Sequence, residues 1–212
     1  PIEAVEVLWE PIGVVDIAIP IPGRLARAST VGVVGRDAEL RMLADAAKRV
    51  GAGDGLEVVL VSGEAGLGKT TLVAAAARAA SDTGAVVLLG HCEEDLTAPY
   101  QLFSEALGHY VTHAEEAPLR AHVEAHGSEL SRLVPALAGR LPGLPASRTT
   151  DADTGRFLLF AAVMGLLSMV SEQHPVVLVL DDLQWADSGS LQLLRHVVSA
   201  DPAMRLLVLG TY

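Results

Sequence analysis

The chain has 212 residues, half of them hydrophobic and 19% charged, enough apolar surface for one main core and too much for a mainly disordered or collagen-like chain. Lys plus Arg number 15 against 26 Asp plus Glu, and the resulting net charge of −11 repels a phosphate backbone and argues against direct nucleic-acid binding. The lone cysteine, Cys92, allows no internal disulfide, and the acidic opening PIEAVEVLWE lacks the basic and apolar regions of a leader peptide, so a reducing, cytoplasmic setting is expected.

Residues 1–30 place Pro20, Pro22 and Gly23 close together without a helical period. They are expected to form a linker, with Val5, Val7 and Trp9 as a strand remnant. The domain proper is expected over 31–212. Leu40, Leu43, Ala47 and Val50 recur at spacings of three and four, which predicts an amphipathic helix over Asp37–Val50, ended by the GAGDG turn. Four short apolar runs follow at Glu57–Ser62, Ala85–Gly90, Val176–Leu180 and Leu206–Leu209. Continuous apolar strands are what a parallel sheet covered on both faces requires. Helical patterns lie between them, at Thr70–Ala80, Tyr100–Val111, Leu119–Leu141, Phe157–Ser171 and Ser190–Ser199. Strand and helix therefore alternate, which predicts a three-layer α/β fold with a parallel sheet flanked by helices. The longest apolar stretch, Phe157–Val170, has 14 residues, short of the roughly 20 of a membrane helix, and no membrane span is predicted.

Gly63-Glu64-Ala65-Gly66-Leu67-Gly68-Lys69-Thr70 fits the pattern G-x-x-x-x-G-K-[ST], placed after a strand and before an Ala-rich helix. Gly63, Gly66 and Gly68 permit backbone angles that let successive N–H groups face anionic oxygens, and the helix start behind them favours negative charge. Lys69 is one of only two lysines in the chain and is placed to reach β and γ phosphates, with the Thr70 hydroxyl on Mg²⁺ and Thr71 beside the phosphates. The ligand this pattern asks for is a nucleoside triphosphate with Mg²⁺.

The strand ending Val-Leu-Asp181-Asp182 carries two acids where ligands bind in open α/β sheets, beyond the carboxyl ends of the strands. Asp181 fits a metal-shell role through water, and Asp182 fits a residue that orients or deprotonates an attacking water. Two acids after a strand also serve as helix caps, and that alternative stays open here.

The segments VVGRDAEL (Val33–Leu40), the phosphate loop, GHCEEDLTAPYQLFSEAL (Gly90–Leu107), DDLQWAD (Asp181–Asp187) and RLLVLGTY (Arg205–Tyr212) together resemble the STAND-type P-loop ATPases, AAA-like modules of LuxR-type regulators and class III adenylate cyclase fusions. The resemblance implies a P-loop NTPase fold binding ATP or ADP with Mg²⁺, and a regulatory role exerted through attached domains of the same polypeptide. It also implies ATP-dependent self-association. It places Val34, Gly35 and Arg36 near the base or ribose, although a surface arginine at a helix start is the plainer reading of Arg36. It puts Thr211 at a polar sensor position. It further implies a fifth strand beside the Val58–Val61 strand and C-terminal truncation of the domain, and VEVLWEP resembles the tail that follows a cyclase domain.

Other features read as structural. His109 with His113, and His122 with His126, are spaced i, i+4 without an H-E-x-x-H motif, and are expected on solvated helix faces. Cys92 reads as a small buried hydrophobe, Tyr100 and Phe103 as packing residues, and Trp185 as a wedge in the loop after the acidic strand. The leading functional reading is an ATP-binding and ATP-hydrolysing regulatory module. The alternatives are a nucleotide-binding switch with negligible hydrolysis and, last, a small-molecule phosphotransferase. The last would want an arginine-rich lid, whereas Arg120, Arg132, Arg140 and Arg148 are scattered.

Overall fold

The computed structural model describes residues 19–28, 32–94, 98–145, 147, 151–199 and 203–212. Four strands run parallel, β1 (Glu57–Val61), β2 (Val86–His91), β3 (Val176–Asp181) and β4 (Leu206–Thr211), in the spatial order β1-β4-β3-β2. Among the described residues β1 and β2 are the edges. The helices are α1 (Gly23–Ala28), α2 (Asp37–Ala52), α3 (Lys69–Asp82), α4 (Gln101–His113), α5 (Glu116–His126), α6 (Ala136–Arg140), α7 (Ala152–Gln173) and α8 (Ser188–Val198). The predicted α/β fold with a helix-flanked parallel sheet is what forms.

Strand side chains alternate between faces, and this divides the core in two. Val86, Leu88, Val176, Leu178, Leu180, Leu206 and Val208 join one cluster with residues of α4, α7 and α8. Val87, Leu89, Val177, Val179, Leu207 and Leu209 join the other, with α1, α2 and α3. Each fully buried Val or Leu contributes roughly 1.5–3 kcal/mol relative to exposure, so both helical layers are held through the sheet. The edge strand β1 differs: Val58 and Leu60 on it are 41% and 55% exposed.

Two expectations need correction. The described end of the presumed linker is helical, not extended: α1 spans Gly23–Ala28, and Leu25, 1% exposed, joins the cluster of α2 and α3. Pro22 accepts the Ala26 N–H at 3.0 Å, so the proline stands before the helix, where its missing donor costs nothing. The strand remnant at Val5, Val7 and Trp9 and the VEVLWEP segment lie outside the described residues. The second correction concerns the 14-residue apolar stretch, which sits inside α7, a helix of 22 residues that is long and apolar enough to cross a membrane by length and composition. Its Leu159, Val163, Leu166, Leu167 and Val170 pack into the sheet core, as a central core helix does. The additional turn at its start is capped by Asp151, whose side chain accepts the Thr154 N–H at 2.9 Å.

Candidate functional site

The loop between β1 and α3 curls rather than extends. Gly66 (φ 83°) and Gly68 (φ 78°) are left-handed, a conformation that a β-carbon disfavours, and Gly68 is the residue from which α3 starts. Lys69 folds back across the loop and donates to the carbonyl oxygens of Gly63 (2.8 Å) and Glu64 (3.2 Å). A cleft of about 640 Å³ opens there; Gly66, Gly68, Lys69, Thr70 and Thr71 line it on the loop side, and Asp182, Gln184 and Tyr212 on the other. Ala65 and Gly63 also line it, whereas Leu67 is 53% exposed at the loop tip.

The two acids stand at the end of β3, with Thr211 at the end of the neighbouring β4. Asp181 is only 1% exposed, and burying a carboxylate is costly unless it is hydrogen-bonded. It has two donors: Thr70 Oγ1 lies 3.1 Å from its Oδ1 and 3.2 Å from its Oδ2, and the buried Thr211 Oγ1 donates to Oδ1 at 2.6 Å. The same Thr211 oxygen accepts the Asp182 N–H at 2.9 Å. Asp182 has φ 61°, and this left-handed geometry is held by that contact. Gln184 donates to Asp182 Oδ1 at 3.0 Å. The structure thus brings Lys69, Thr70, Asp181 and Asp182 together and adds Thr211 and Gln184 between them.

The helix-cap alternative for the paired acids belongs to a different residue. Asp187 caps α8, its side chain accepting the Ser190 N–H at 3.0 Å. Burial works against its ionisation, but hydrogen bonds from Ser190, Tyr100 and Gly189 hold its carboxyl below the usual range. Trp185 is 45% exposed, whereas Leu183, two residues earlier, is packed against the core. Val34, Gly35 and Arg36 do not line the cleft: Val34 is 91% exposed, and Arg36, just before α2, pairs with Glu39 of that helix at 2.9 Å.

The paired histidines differ from expectation: His109 is half-buried, its Nε2–H donating to the Pro20 carbonyl at 2.6 Å, and His122 departs further. His122 is 3% exposed, and its Nε2–H donates to the Ala162 carbonyl of α7 at 2.8 Å, so it is a packed residue and not part of a solvated face. Burial, opposed by that bond and reinforced by His126, lowers its pKa from the ordinary 6.5. His113 is exposed, as expected. Cys92 is buried, and burial together with Asp187, Asp182 and Glu105 pushes its thiol pKa up to about 11, which leaves it unreactive. Tyr100 packs edge-on to Phe160 and Phe103 is fully buried, as packing residues. Sequence reasoning missed His91, which stands in register with Asp181 across β2 and β3. Its signal was its place at the end of the strand neighbouring the acids.

A helix-flanked parallel sheet that carries a glycine loop, a lysine and a hydroxyl at one strand end and a buried acid two strands away defines a P-loop NTPase-like domain. The chain belongs to the AAA ATPase domain family, whose model matches residues 32–209. It is also similar to hybrid signal transduction histidine kinase G of Dictyostelium discoideum, 29% identical over 182 residues. That alignment covers 78% of this chain and 5% of the relative, so the chain spans a small part of the relative's length.

Proposed function

We propose that this chain is an ATP-binding and ATP-hydrolysing regulatory module of a multidomain signalling protein, whose nucleotide state alters the arrangement of domains attached to it. The observation that supports this most directly is the bond between Thr70, at the start of the phosphate-loop helix, and Asp181, 111 residues away. It sets the hydroxyl and the carboxylate against each other beside Lys69. Both are hard oxygen donors, the kind that suits Mg²⁺, and Thr70 would hold the ion directly with Asp181 acting through water. An ion held by these two residues would supply charge neutralisation for the β and γ phosphates.

The chain's own residues have separable tasks. The amides of the loop bind phosphate oxygens. Lys69 exchanges the carbonyls of Gly63 and Glu64 for them. Asp182 orients the water that attacks the γ phosphorus in line and accepts its proton as the bond to the β–γ bridging oxygen breaks and ADP leaves, and Thr211 keeps both acids in register. Val34, Gly35 and Arg36 lie outside the cleft lining, and in this reading they meet the base or ribose only where the ligand extends beyond it. The ATPase family and the signalling relative favour a regulatory role. ATP-dependent self-association and a cytoplasmic setting are part of the same proposal.

A switch that holds nucleotide without turning it over is the second reading, favoured by the Gln184 bond that already engages Asp182 Oδ1. Asp182→Asn separates the two. The hydrolytic reading expects phosphate release to fall by about 10²–10⁴-fold with ATP binding retained in calorimetry. Release that is unchanged in the variant supports the switch. A phosphotransferase lid has no support among the described arginines: Arg140 bonds the carbonyls of Val111, Thr112 and Ala114, Arg120 pairs with Glu116, and Arg132 pairs with Glu129.

A further inference from the structure

β2 and β3 run in register, so His91 and Asp181 end side by side, with Asp182 following at once. The backbone N–H of His91 donates to Glu105 Oε2 at 2.7 Å, which fixes the end of the strand. Its ring is buried, the whole residue being 8% exposed, and Nδ1 has no hydrogen-bond partner. That nitrogen faces two carboxylate oxygens, Asp181 Oδ2 and Asp182 Oδ2, each at 3.7 Å. The other oxygen of each acid is already engaged, Asp181 Oδ1 by Thr70 and Thr211 and Asp182 Oδ1 by Gln184. Thr70 also lies 3.2 Å from Asp181 Oδ2, on the side of the phosphate loop.

A separation of 3.7 Å is too long for a hydrogen bond. It is close to the spacing of two ligand atoms that share one ion, at bond lengths of roughly 2.0–2.2 Å and a wide angle. All three ligand atoms lie within 4.8 Å of one another. An orphaned buried nitrogen aimed between two carboxylate oxygens is accounted for if a cation sits among them. Two carboxylates balance a double positive charge, and the imidazole nitrogen favours a borderline transition ion over Mg²⁺ or Ca²⁺, which prefer oxygen alone. A second cleft of about 370 Å³ lies against His91 and is lined also by Arg24, Glu93 and Glu105.

We propose that His91 Nδ1, Asp181 Oδ2 and Asp182 Oδ2 form a binding site for a divalent transition cation of the zinc class in the nucleotide-free chain; it shares both acids with the hydrolytic reading, and its occupancy takes Asp182 Oδ2 out of the water-activating role. The site draws β2 and β3 together at the carboxyl end of the sheet. It does not depend on nucleotide binding, and it is tested without nucleotide.

The test titrates Co²⁺ into the nucleotide-free chain carrying His113→Ala, which removes the exposed member of the His109/His113 pair, and follows the visible d–d absorption. The expected result is saturation at a single equivalent in the presence of excess Mg²⁺, with the bands lost on adding Zn²⁺. His91→Gln and Asp182→Asn are each expected to weaken Co²⁺ binding at least as much as the roughly 10–100-fold that losing an outer-shell partner costs. Absence of d–d bands overturns the proposal, and so does Co²⁺ affinity unchanged in both variants. Circular dichroism checks that each variant folds. Asp182, whose side chain is 32% exposed on a loop, supplies the deciding variant if His91→Gln does not fold.

Discussion

Thr211 holds more of the site together than its small side chain suggests. One oxygen donates to Asp181 and accepts from the Asp182 amide, and the residue is fully buried. Replacing it with Val keeps the shape and removes both partners, leaving an amide without an acceptor and a carboxylate with one donor fewer. Such a loss costs about 1–3 kcal/mol. Thr211→Val is therefore expected to lower the urea midpoint at unchanged slope, and Thr211→Ser to restore most of it. His122 gives a second prediction at this scale. Its folded pKa is below the ordinary 6.5, so the unfolded chain takes up a proton that the folded one refuses. The stability it contributes is complete above about pH 6.5 and is lost as pH falls toward the depressed folded value. His122→Asn should accordingly flatten the fall in Tm below about pH 6.5, as read by thermal melts across that range.

At the scale of the element, local pattern and long-range geometry part company. The four strands were legible because each is a short continuous apolar run, and α3 because alanines follow the glycine-rich loop. The first turn of α7 was not, since Ala152–Arg156 is polar and its signal is the Asp151 cap rather than hydrophobic period. α1 was hidden by Pro20, Pro22 and Gly23, which resemble a linker until Leu25 finds its place against α3. The phosphate loop and both acids could be named from spacing alone. Their coupling through Thr70 and Thr211 could not, because it joins residues 111 and 30 positions apart. Gly90 is similar: a β-carbon there would collide with the backbone of Leu102 at the start of α4, a contact no local pattern shows. Gly90→Ala must push β2 and α4 apart and is expected to cost about 1–3 kcal/mol, measured as a lower urea midpoint.

Across the whole molecule, the strand order determines which residues can meet. With β4 between β1 and β3, the loop after β1 reaches Asp181 across the end of β4, where Thr211 stands. The cleft therefore draws on three strand ends, and its two walls belong to segments far apart in sequence. A ligand seated there touches the loop and the acids at once and binds only when the sheet is formed, so its binding free energy adds to folding stability. At 100 times its Kd, MgATP stabilises such a fold by about 2.7 kcal/mol. At roughly 2–4 °C per kcal/mol for a domain of this size, Tm should rise by about 5–10 °C, measured by scanning calorimetry. Lys69→Ala removes the ammonium proposed to bind the phosphates without touching either core cluster. Its Tm without nucleotide should match that of the unaltered chain, and the rise with MgATP should vanish. A full rise in Lys69→Ala would place the nucleotide elsewhere on the molecule.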